Sequence, residues 1–301
     1  ILKLTDYPRE DYKFVLLDDG SRNKPELENL KSWARDYNIP LILHEKNCGI
    51  PKSWNDLTKY YDNEITVMLN DDVKVVYPEW LKCAVFFFEN NKCGSIGWPL
   101  IQVNPVTGVK TIGNMQVNDG GEMPAGACWG TKPAIVGTPV GCCFAYRTEL
   151  FYKIKQPDNS VGFWEDMISF SEELDFGFEL CRLGYRNYMM NWPPFEHWGS
   201  QTFSKNRELQ TRKPSNYLPL PEYLEIMKNC LPRDRHFIQT PWGEVYRMNY
   251  SRAMFARKWG TKDYWDNPQQ EVHERVVYPL CEPKQNVKWI DKNGEIKEEL
   301  I

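Results

Sequence analysis

Two short apolar runs, each ending in acidic residues, constrain the fold of this chain more than any other feature. Phe14-Val15-Leu16-Leu17 leads into Asp18-Asp19-Gly20-Ser21, and Ile65-Thr66-Val67-Met68-Leu69 leads into Asn70-Asp71-Asp72. A continuous apolar run with polar boundaries is typical of a strand that is buried on both faces. Ligands of open α/β sheets bind beyond the carboxyl ends of the strands. The acidic residues are therefore predicted to lie at a functional site.

Segments with helical spacing of apolar residues separate these strands. We predict helices over 25–37, 51–61, 80–90 and 174–183, and further strands over 41–43, from 94 and over 140–146. Alternating strands and helices predict an α/β protein, with a mixed, mainly parallel, Rossmann-like sheet flanked by helices. Residues 102–138 are rich in Gly, Asn, Thr and Pro, which favours hairpins and loops over the cleft.

The composition changes after His197, and this change indicates two domains. Residues 213–222 form a proline-rich connector. We predict a catalytic domain over 1–212 and an aromatic-rich, mostly helical C-terminal appendage over 213–301. The appendage is expected to pack on the catalytic domain and to shape an acceptor site or an oligomer interface.

Charge, cysteine content and hydropathy exclude several classes of protein. The net charge of −4 gives no general attraction to nucleic acid or to anionic membranes, so neither is an expected partner. None of the nine cysteines forms a C-x-x-C pair, so a structural zinc site is not predicted, and scattered thiols indicate a reducing, cytoplasmic location. The longest apolar stretch, 83–88, is too short for a transmembrane segment.

Over about residues 12–203 the chain resembles the family 2 glycosyltransferases, particularly soluble members that elongate surface polysaccharides. The motifs that carry the resemblance follow in the family's order: Asp18-Asp19-Gly20-Ser21, Asn47-Cys48-Gly49 with Asn55, Asn70-Asp71-Asp72, Ser171-Glu172-Glu173-Leu174-Asp175, and His197. The resemblance implies a GT-A fold and a metal-dependent, inverting transfer. The sugar would pass from a UDP- or dTDP-type donor to the hydroxyl of a glycan or another acceptor.

The resemblance also implies which residues bind the nucleotide. An acidic residue of the first motif contacts the base or ribose in the family, which points to Asp19 and its neighbour Asp18. The start of the helix after Asn47 and Gly49, with Asn55, is implied to lie beside the nucleotide, as are Asn70 and Asp71. Taken alone, the first motif also fits a simple Asp-Gly turn, and the second fits an ordinary loop before a helix.

Two further motifs imply the metal ligands and the general base. Asp72 matches the second aspartate of the family's D-x-D metal motif, while Asn70 replaces the first, and His197 matches a late histidine that completes a site for Mn²⁺ or Mg²⁺. Glu173 occupies the position of the catalytic aspartate, and Glu172 is the second choice for the base. The alternative interpretation of this acidic cluster is favourable interaction with the helix dipole.

Three residues are candidates for contact with the acceptor. They are Trp164, Trp198 and Asp175, although for Asp175 the helix-dipole interpretation is preferred. Only eleven residues precede Tyr12, so we expect the strand that normally comes before the first motif to lie outside this sequence or to be replaced in the sheet by another element. Two other functions fit the fold or the composition. A nucleotidyltransferase would need a basic, glycine-rich loop that is not found, and a non-catalytic carbohydrate-binding protein is supported only by the 12 tryptophans.

Overall fold

The computed structural model of the chain describes residues 1–21, 23–104, 107–112, 131–167, 171–198, 251, 254–260 and 268–301. The elements up to residue 103 are β1 (Leu16–Asp18), α1 (Lys24–Asp36), β2 (Leu41–Leu43), α2 (Ile50–Tyr60), β3 (Ile65–Leu69), β4 (Val73–Val75), α3 (Trp80–Asn90), β5 (Cys93–Gly97) and β6 (Leu100–Val103). The later elements are β7 (Lys110–Ile112), β8 (Ala134–Val136), β9 (Cys143–Arg147), α4 (Thr148–Phe151), α5 (Glu172–Arg182), β10 (Arg186–Met189), β11 (Phe195–His197), α6 (Pro268–Val276), α7 (Tyr278–Cys281), β12 (Asn286–Ile290) and β13 (Ile296–Leu300). Residues 254–259 are helical as well.

Two mixed sheets form the framework of the described residues. One has the strand order β3-β9-β5-β10-β8, and the other has the order β4-β11-β6-β7. The pairs β5–β10 and β6–β11 are parallel, and the other pairs in these two sheets are antiparallel. Strands β1 and β2 pair in parallel in a separate two-stranded sheet. The predicted mixed α/β class is confirmed, although antiparallel pairs outnumber parallel ones among the described strands.

The two larger sheets are joined where neighbouring strands pass from one to the other. β5 continues into β6 and β10 continues into β11, and hydrogen bonds from Met190 N–H to the Gly97 carbonyl (2.9 Å) and from Phe195 N–H to the Pro99 carbonyl (2.8 Å) bridge the bend. β3 belongs to the first sheet and β4 to the second. The segment 70–72 between them therefore lies at the junction of the sheets.

The aromatic residues fill much of the core. Trp98, Trp164 and Trp289 are among the largest fully buried side chains. The ring of Trp98 stacks on Phe195 with 4.9 Å between centroids. Offset stacking of this kind adds stability beyond the burial of apolar area. Core packing thus accounts for five of the nine tryptophans that the structure describes: Trp54, Trp80, Trp98, Trp164 and Trp289.

The chain ends in a β-hairpin, which the prediction of a mostly helical appendage did not include. β12 and β13 pair antiparallel, and the hairpin packs on α3. Asn91, just after α3, donates from Nδ2 to the Lys288 carbonyl (2.8 Å) and accepts at Oδ1 from Lys288 N–H (2.9 Å). Trp289 is 1% exposed and belongs to the core cluster of α3. Residues 199–250, which include the proposed connector, lie outside the described residues.

We expect Trp289→Ala to lower the free energy of unfolding by about 3–5 kcal/mol, because it opens a large cavity between the hairpin and α3. Leu300→Ala in the same hairpin is the matched control, since Leu300 is 60% exposed. It should change the free energy by no more than about 0.5 kcal/mol. Urea unfolding of both variants measures the difference. Equal effects would mean that the hairpin is not docked on α3 in solution.

The described residues contain no helix with both the length and the apolar character required to cross a bilayer. Their cysteines are all thiols: Cys48, Cys83, Cys93, Cys142, Cys143, Cys181 and Cys281. Burial raises the pKa of the Cys83 and Cys93 thiols to about 12, which makes both poor nucleophiles. Cys128 and Cys230 lie outside the described residues.

Candidate active site

The candidate site is built where β3 ends, because a turn over 70–72 reverses the chain into β4. Asn70 N–H donates to the Cys142 carbonyl (2.9 Å), which ties the turn to the segment before β9. β4 pairs antiparallel with β11, and this register sets His197 opposite Val73. His197 Nε2 consequently lies 3.3 Å from Asp72 Oδ2. The two predicted metal ligands meet although they are far apart in sequence.

Gln102 fixes the orientation of the His197 ring, and no sequence motif had indicated this residue. β6 runs parallel to β11 with Gln102 opposite His197, and Gln102 Oε1 lies 3.0 Å from His197 Nδ1. Because an amide oxygen only accepts hydrogen bonds, Nδ1 carries a proton and Nε2 faces Asp72. The hydrogen bond with Asp72 raises the pKa of His197, and partial burial opposes this shift. A partner that orients a ligating histidine through its other nitrogen is common in metal sites.

One oxygen of Asp72 indicates that the site is incomplete without a ligand. Asp72 Oδ1 is buried and has no hydrogen-bond partner among the described residues. A buried polar atom without a partner is costly, and native proteins rarely leave one unexplained. A carboxylate oxygen beside an oriented imidazole nitrogen fits a divalent cation. The residues present therefore fit the metal that the sequence motif implies.

Glu172 and Glu173 begin α5 next to this turn. A Cβ atom at Gly141 would lie 3.2 Å from Glu173 Cδ, so the absence of a side chain at Gly141 provides space for Glu173. Gly141 precedes Cys142, whose carbonyl binds Asn70. The thiol of Cys142 senses the charges of His197, Asp72 and Glu173, and its pKa is lowered chiefly by a hydrogen bond with Cys143. The metal motif and the acidic helix start therefore share one site.

The two glutamates differ in exposure. Glu172 is 3% exposed, and its Oε2 has no hydrogen-bond partner among the described residues, whereas Glu173 is partly exposed. Burial raises the pKa of both carboxyl groups, and the charge of Glu173 raises that of Glu172 further. A raised pKa brings a carboxylate closer to the range suited to a general base. Of the two, Glu173 is the one that a substrate can reach.

The two predicted nucleotide motifs pack against each other. Gly20 has φ +76°, and a Cβ atom there would lie 2.4 Å from Asn47 N, so only glycine permits this approach. Asp19 accepts N–H hydrogen bonds from Cys48 (2.8 Å) and Gly49 (3.0 Å). Asp18 accepts from Ser21 N–H (2.9 Å) and closes the turn. A nucleotide contact by these residues stays a prediction.

Asp19 also belongs to a second group of potential metal ligands. Asp19, His44 and Cys48 present ligand atoms within 4.8 Å of one another. These atoms already bind protein groups: His44 Nδ1 lies 2.7 Å from Asp19 Oδ1, His44 Nε2 lies 3.0 Å from Asp56 Oδ2, and Cys48 Sγ donates to the Lys46 carbonyl at 3.2 Å. This arrangement holds the loop before α2 in place. It lacks the unpartnered oxygen found at Asp72.

Asn55 has a structural role in this conformation. Its side chain is fully buried, and Nδ2 donates to the Phe163 carbonyl (2.8 Å) and to Glu165 Oε1 (3.1 Å) while Oδ1 accepts from Phe163 N–H (2.9 Å). No part of the amide is available to a nucleotide, which corrects the prediction for Asn55. Asn47 differs, because its Oδ1 is buried without a hydrogen-bond partner in the described part of the chain.

Two of the three acceptor candidates are also corrected. Asp175 is 0% exposed and binds Lys258 and Trp259, and Trp164 is fully buried. Neither side chain can contact an acceptor in this structure, because both are buried. Asp175 was chosen from the acidic motif and Trp164 from its position beside that motif, and neither criterion reports burial. Trp198 is partly exposed, and its backbone N–H donates to the backbone carbonyl of Asp72 at 2.9 Å. It remains the acceptor candidate of the three.

The chain belongs to Glycosyl transferase family 2, whose family model matches residues 1–155. This match confirms the resemblance found in the sequence motifs. No curated protein matches the chain significantly.

Similar solved structures show the GT-A fold. GalNAc-T7, solved with UDP, GalNAc and Mn²⁺, is 14% identical with a TM-score of 0.53, and the match covers 98% of this chain and 60% of that chain. The mannosyltransferase PcManGT from Pyrobaculum calidifontis, solved with GDP-mannose and Mn²⁺, is 12% identical with a TM-score of 0.49, covering 94% of this chain and 70% of that chain. S. aureus TarS 1–349, solved with UDP, is 14% identical with a TM-score of 0.46, and the match covers 100% of this chain and 90% of that chain. The chain thus spans about three fifths of the GalNAc-T7 chain.

Proposed function

We propose that this protein transfers a sugar, with inversion, from a nucleotide diphosphate sugar to an acceptor hydroxyl in glycan or polysaccharide synthesis. The observation that carries the proposal is the buried, unpartnered oxygen of Asp72 beside His197, with Glu173 next to the same turn. This arrangement offers a metal site for a diphosphate and a carboxylate for an acceptor in one place. Membership of the family supports the same activity.

In this proposal Asp72 and His197 hold the divalent cation. When bound, the metal neutralises the developing charge of the diphosphate leaving group. A nitrogen ligand favours Mn²⁺ over Mg²⁺, because Mg²⁺ strongly prefers oxygen ligands. The fold neighbour GalNAc-T7 was solved with Mn²⁺ and UDP, which supports this choice.

Glu173 accepts the proton of the acceptor hydroxyl as the new glycosidic bond forms. A positioned base of this kind contributes about 10²–10⁴ to the rate. Trp198 stacks on the acceptor in this scheme, and its partial exposure and its backbone hydrogen bond with Asp72 support this role. The loops that contain Asp18, Asp19, Asn47 and Gly49, together with Asn70 and Asp71, surround the nucleoside in this scheme.

Donor turnover tests the proposal directly. The protein is incubated with UDP-, dTDP- and GDP-sugars in Mn²⁺, in Mg²⁺ and in EDTA, and release of the nucleoside diphosphate is measured. We expect the nucleoside diphosphate to be released from one class of donor, and only when the metal is present. Formation of a nucleotide sugar from a nucleoside triphosphate and a sugar phosphate would instead identify a nucleotidyltransferase. Binding of glycans without any turnover would identify a carbohydrate-binding protein.

Gln102 provides a test of the metal site that does not depend on turnover. Gln102→Leu removes the acceptor for His197 Nδ1–H, and we expect Mn²⁺ affinity to fall by about 10–100-fold. Gln102→Glu is the control, because its carboxylate still accepts this hydrogen bond and should retain affinity. Calorimetric titration with Mn²⁺ measures both. Unchanged affinity in Gln102→Leu would contradict the assignment of His197 as a ligand.

A further inference from the structure

A buried cluster around Lys258 fastens the C-terminal part of the chain to α5. Lys258 Nζ lies 2.7 Å and 2.8 Å from the two carboxylate oxygens of Asp175 and 2.9 Å from Glu179 Oε1. It also donates to Gln156 Oε1 at 2.7 Å. The indole N–H of Trp259 donates to Asp175 Oδ1 at 2.8 Å. Asp175 is thus held by three groups, because Gln156 Nε2 donates to its Oδ2 at 3.0 Å.

The geometry leaves this ammonium group little freedom. An ammonium group has three N–H donors, and Asp175, Glu179 and Gln156 supply an acceptor for each. Lys258 is only 12% exposed, and its Nζ lies over the rings of Trp164 (5.4 Å) and Trp259 (5.3 Å). Arg182 Nε pairs with the other oxygen of Glu179 at 2.7 Å. Two carboxylates and two cations therefore balance each other within the cluster.

The cluster contacts, through Asp175, the first turn of α5, which also carries the proposed base Glu173. Asp175 lies two positions after Glu173 in the first turn of the helix, and its N–H binds the Ser171 carbonyl at 2.9 Å. On the other side, Thr138 Oγ1 donates to the Glu173 carbonyl at 2.8 Å. The start of α5 is therefore held by the hydrogen bond from Thr138 and by the ion pair of Asp175 with Lys258. A shift of α5 would move Glu173 relative to the turn over 70–72.

We propose that Lys258 is a positioning residue, which fixes the first turn of α5 through Asp175 and so sets the place of the Glu173 carboxylate. The inference rests on the proposed function. It assigns to the C-terminal part of the chain a direct effect on the chemical step. It also gives Asp175 a role in holding the helix instead of contacting the acceptor. A misplacement of about 1 Å at a reacting group can cost about a hundredfold in rate.

Lys258→Met tests the proposal by separating binding from chemistry. We expect kcat for transfer to fall by about 10–100-fold, while the dissociation constant for UDP with Mn²⁺ stays within about twofold. Lys153→Met is the matched control, because Lys153 forms an exposed ion pair with Glu149 outside the site. It should leave both quantities unchanged. Loss of nucleotide binding in folded Lys258→Met would overturn the proposal.

A double-mutant cycle with Glu173→Gln distinguishes positioning from a general structural effect. If Lys258 acts through Glu173, adding Lys258→Met to Glu173→Gln should lower kcat by no more than about another twofold. If Lys258→Met lowered kcat as much in the Glu173→Gln background as in the unaltered protein, Lys258 would act independently of the base, and the inference would be overturned. An unchanged kcat in Lys258→Met beside a large loss in Glu173→Gln would overturn this inference alone. Near-normal transfer by Glu173→Gln would overturn the base assignment and the inference together, while metal-dependent donor turnover would still stand.

The single variant leaves Asp175 buried without its cation, which can prevent folding. In that case Lys258→Met combined with Asp175→Asn takes its place in the cycle, since it removes both charges while Arg182 still pairs with Glu179. Circular dichroism and thermal melting establish that each variant is folded. The same comparison of kcat with nucleotide affinity then supports or overturns the proposal.

Discussion

Glu173→Gln is expected to lower transfer by at least about a hundredfold, the lower range for loss of a positioned general base. The amide keeps the shape of the side chain but does not accept the acceptor's proton at neutral pH. Nucleotide and metal binding should survive, because Asp72 and His197 are unaltered. Steady-state transfer kinetics combined with calorimetric titration of UDP and Mn²⁺ measure the two properties separately.

Glu172→Gln is the matched control, since the adjacent carboxyl group is almost fully buried. We expect transfer to fall less than in Glu173→Gln. A larger loss in Glu172→Gln would exchange the two roles, and near-normal transfer in both variants would place the base elsewhere.

The pH dependence of transfer gives the same assignment an independent test. A base acts as the carboxylate, and burial raises the pKa of Glu173. The ionised fraction of Glu173 therefore grows as the pH rises through this raised pKa. The transfer rate decreases at pH values below it. The acid limb of kcat should lie above the ordinary glutamate value of about 4.3. It should disappear from the residual activity of Glu173→Gln, and an unchanged limb would point to another group.

Asp72→Ala is expected to lower metal-dependent turnover by at least about 10²–10³-fold, because it removes a charge-stabilising group at the leaving diphosphate. The same variant should lose measurable Mn²⁺ binding in the absence of nucleotide. EDTA should abolish turnover by the unaltered protein, and added Mn²⁺ should restore it.

Asp62→Ala provides the control for the change of charge. Asp62 is an exposed aspartate between α2 and β3, outside the site. This variant should retain both turnover and Mn²⁺ affinity. Full activity of the unaltered protein in EDTA would contradict the metal-dependent mechanism, as would full activity of Asp72→Ala.

The helices and apolar strands that could be predicted are those with a strong local pattern. β2, β3 and α3 have the predicted bounds, because each is a strongly apolar segment followed directly by a polar residue. β10 was missed because two of its buried residues, Arg186 and Asn187, are polar. The Asn187 side chain donates to the carbonyls of Gly137 (2.7 Å) and Gly177 (2.8 Å) and accepts from Ser95 Oγ (2.8 Å), all of them distant in sequence or in another element. β4 and β11 have three residues each, too few for a period to be recognised.

Local sequence patterns were sufficient to identify the acidic residues that follow buried strands and open helices, because these features depend on neighbours within a few positions. Such patterns therefore placed Asp72 and Glu173 among the candidates for chemistry, and the resemblance to the family added His197. Which of these residues meet depends on the folded sheets, because the registers of β11 with β4 and β6 bring Asp72 and Gln102 to His197. Burial of Asp175 depends on Lys258, 83 positions along the chain. Contacts over such separations arise from sheet register and packing, and no local pattern encodes them.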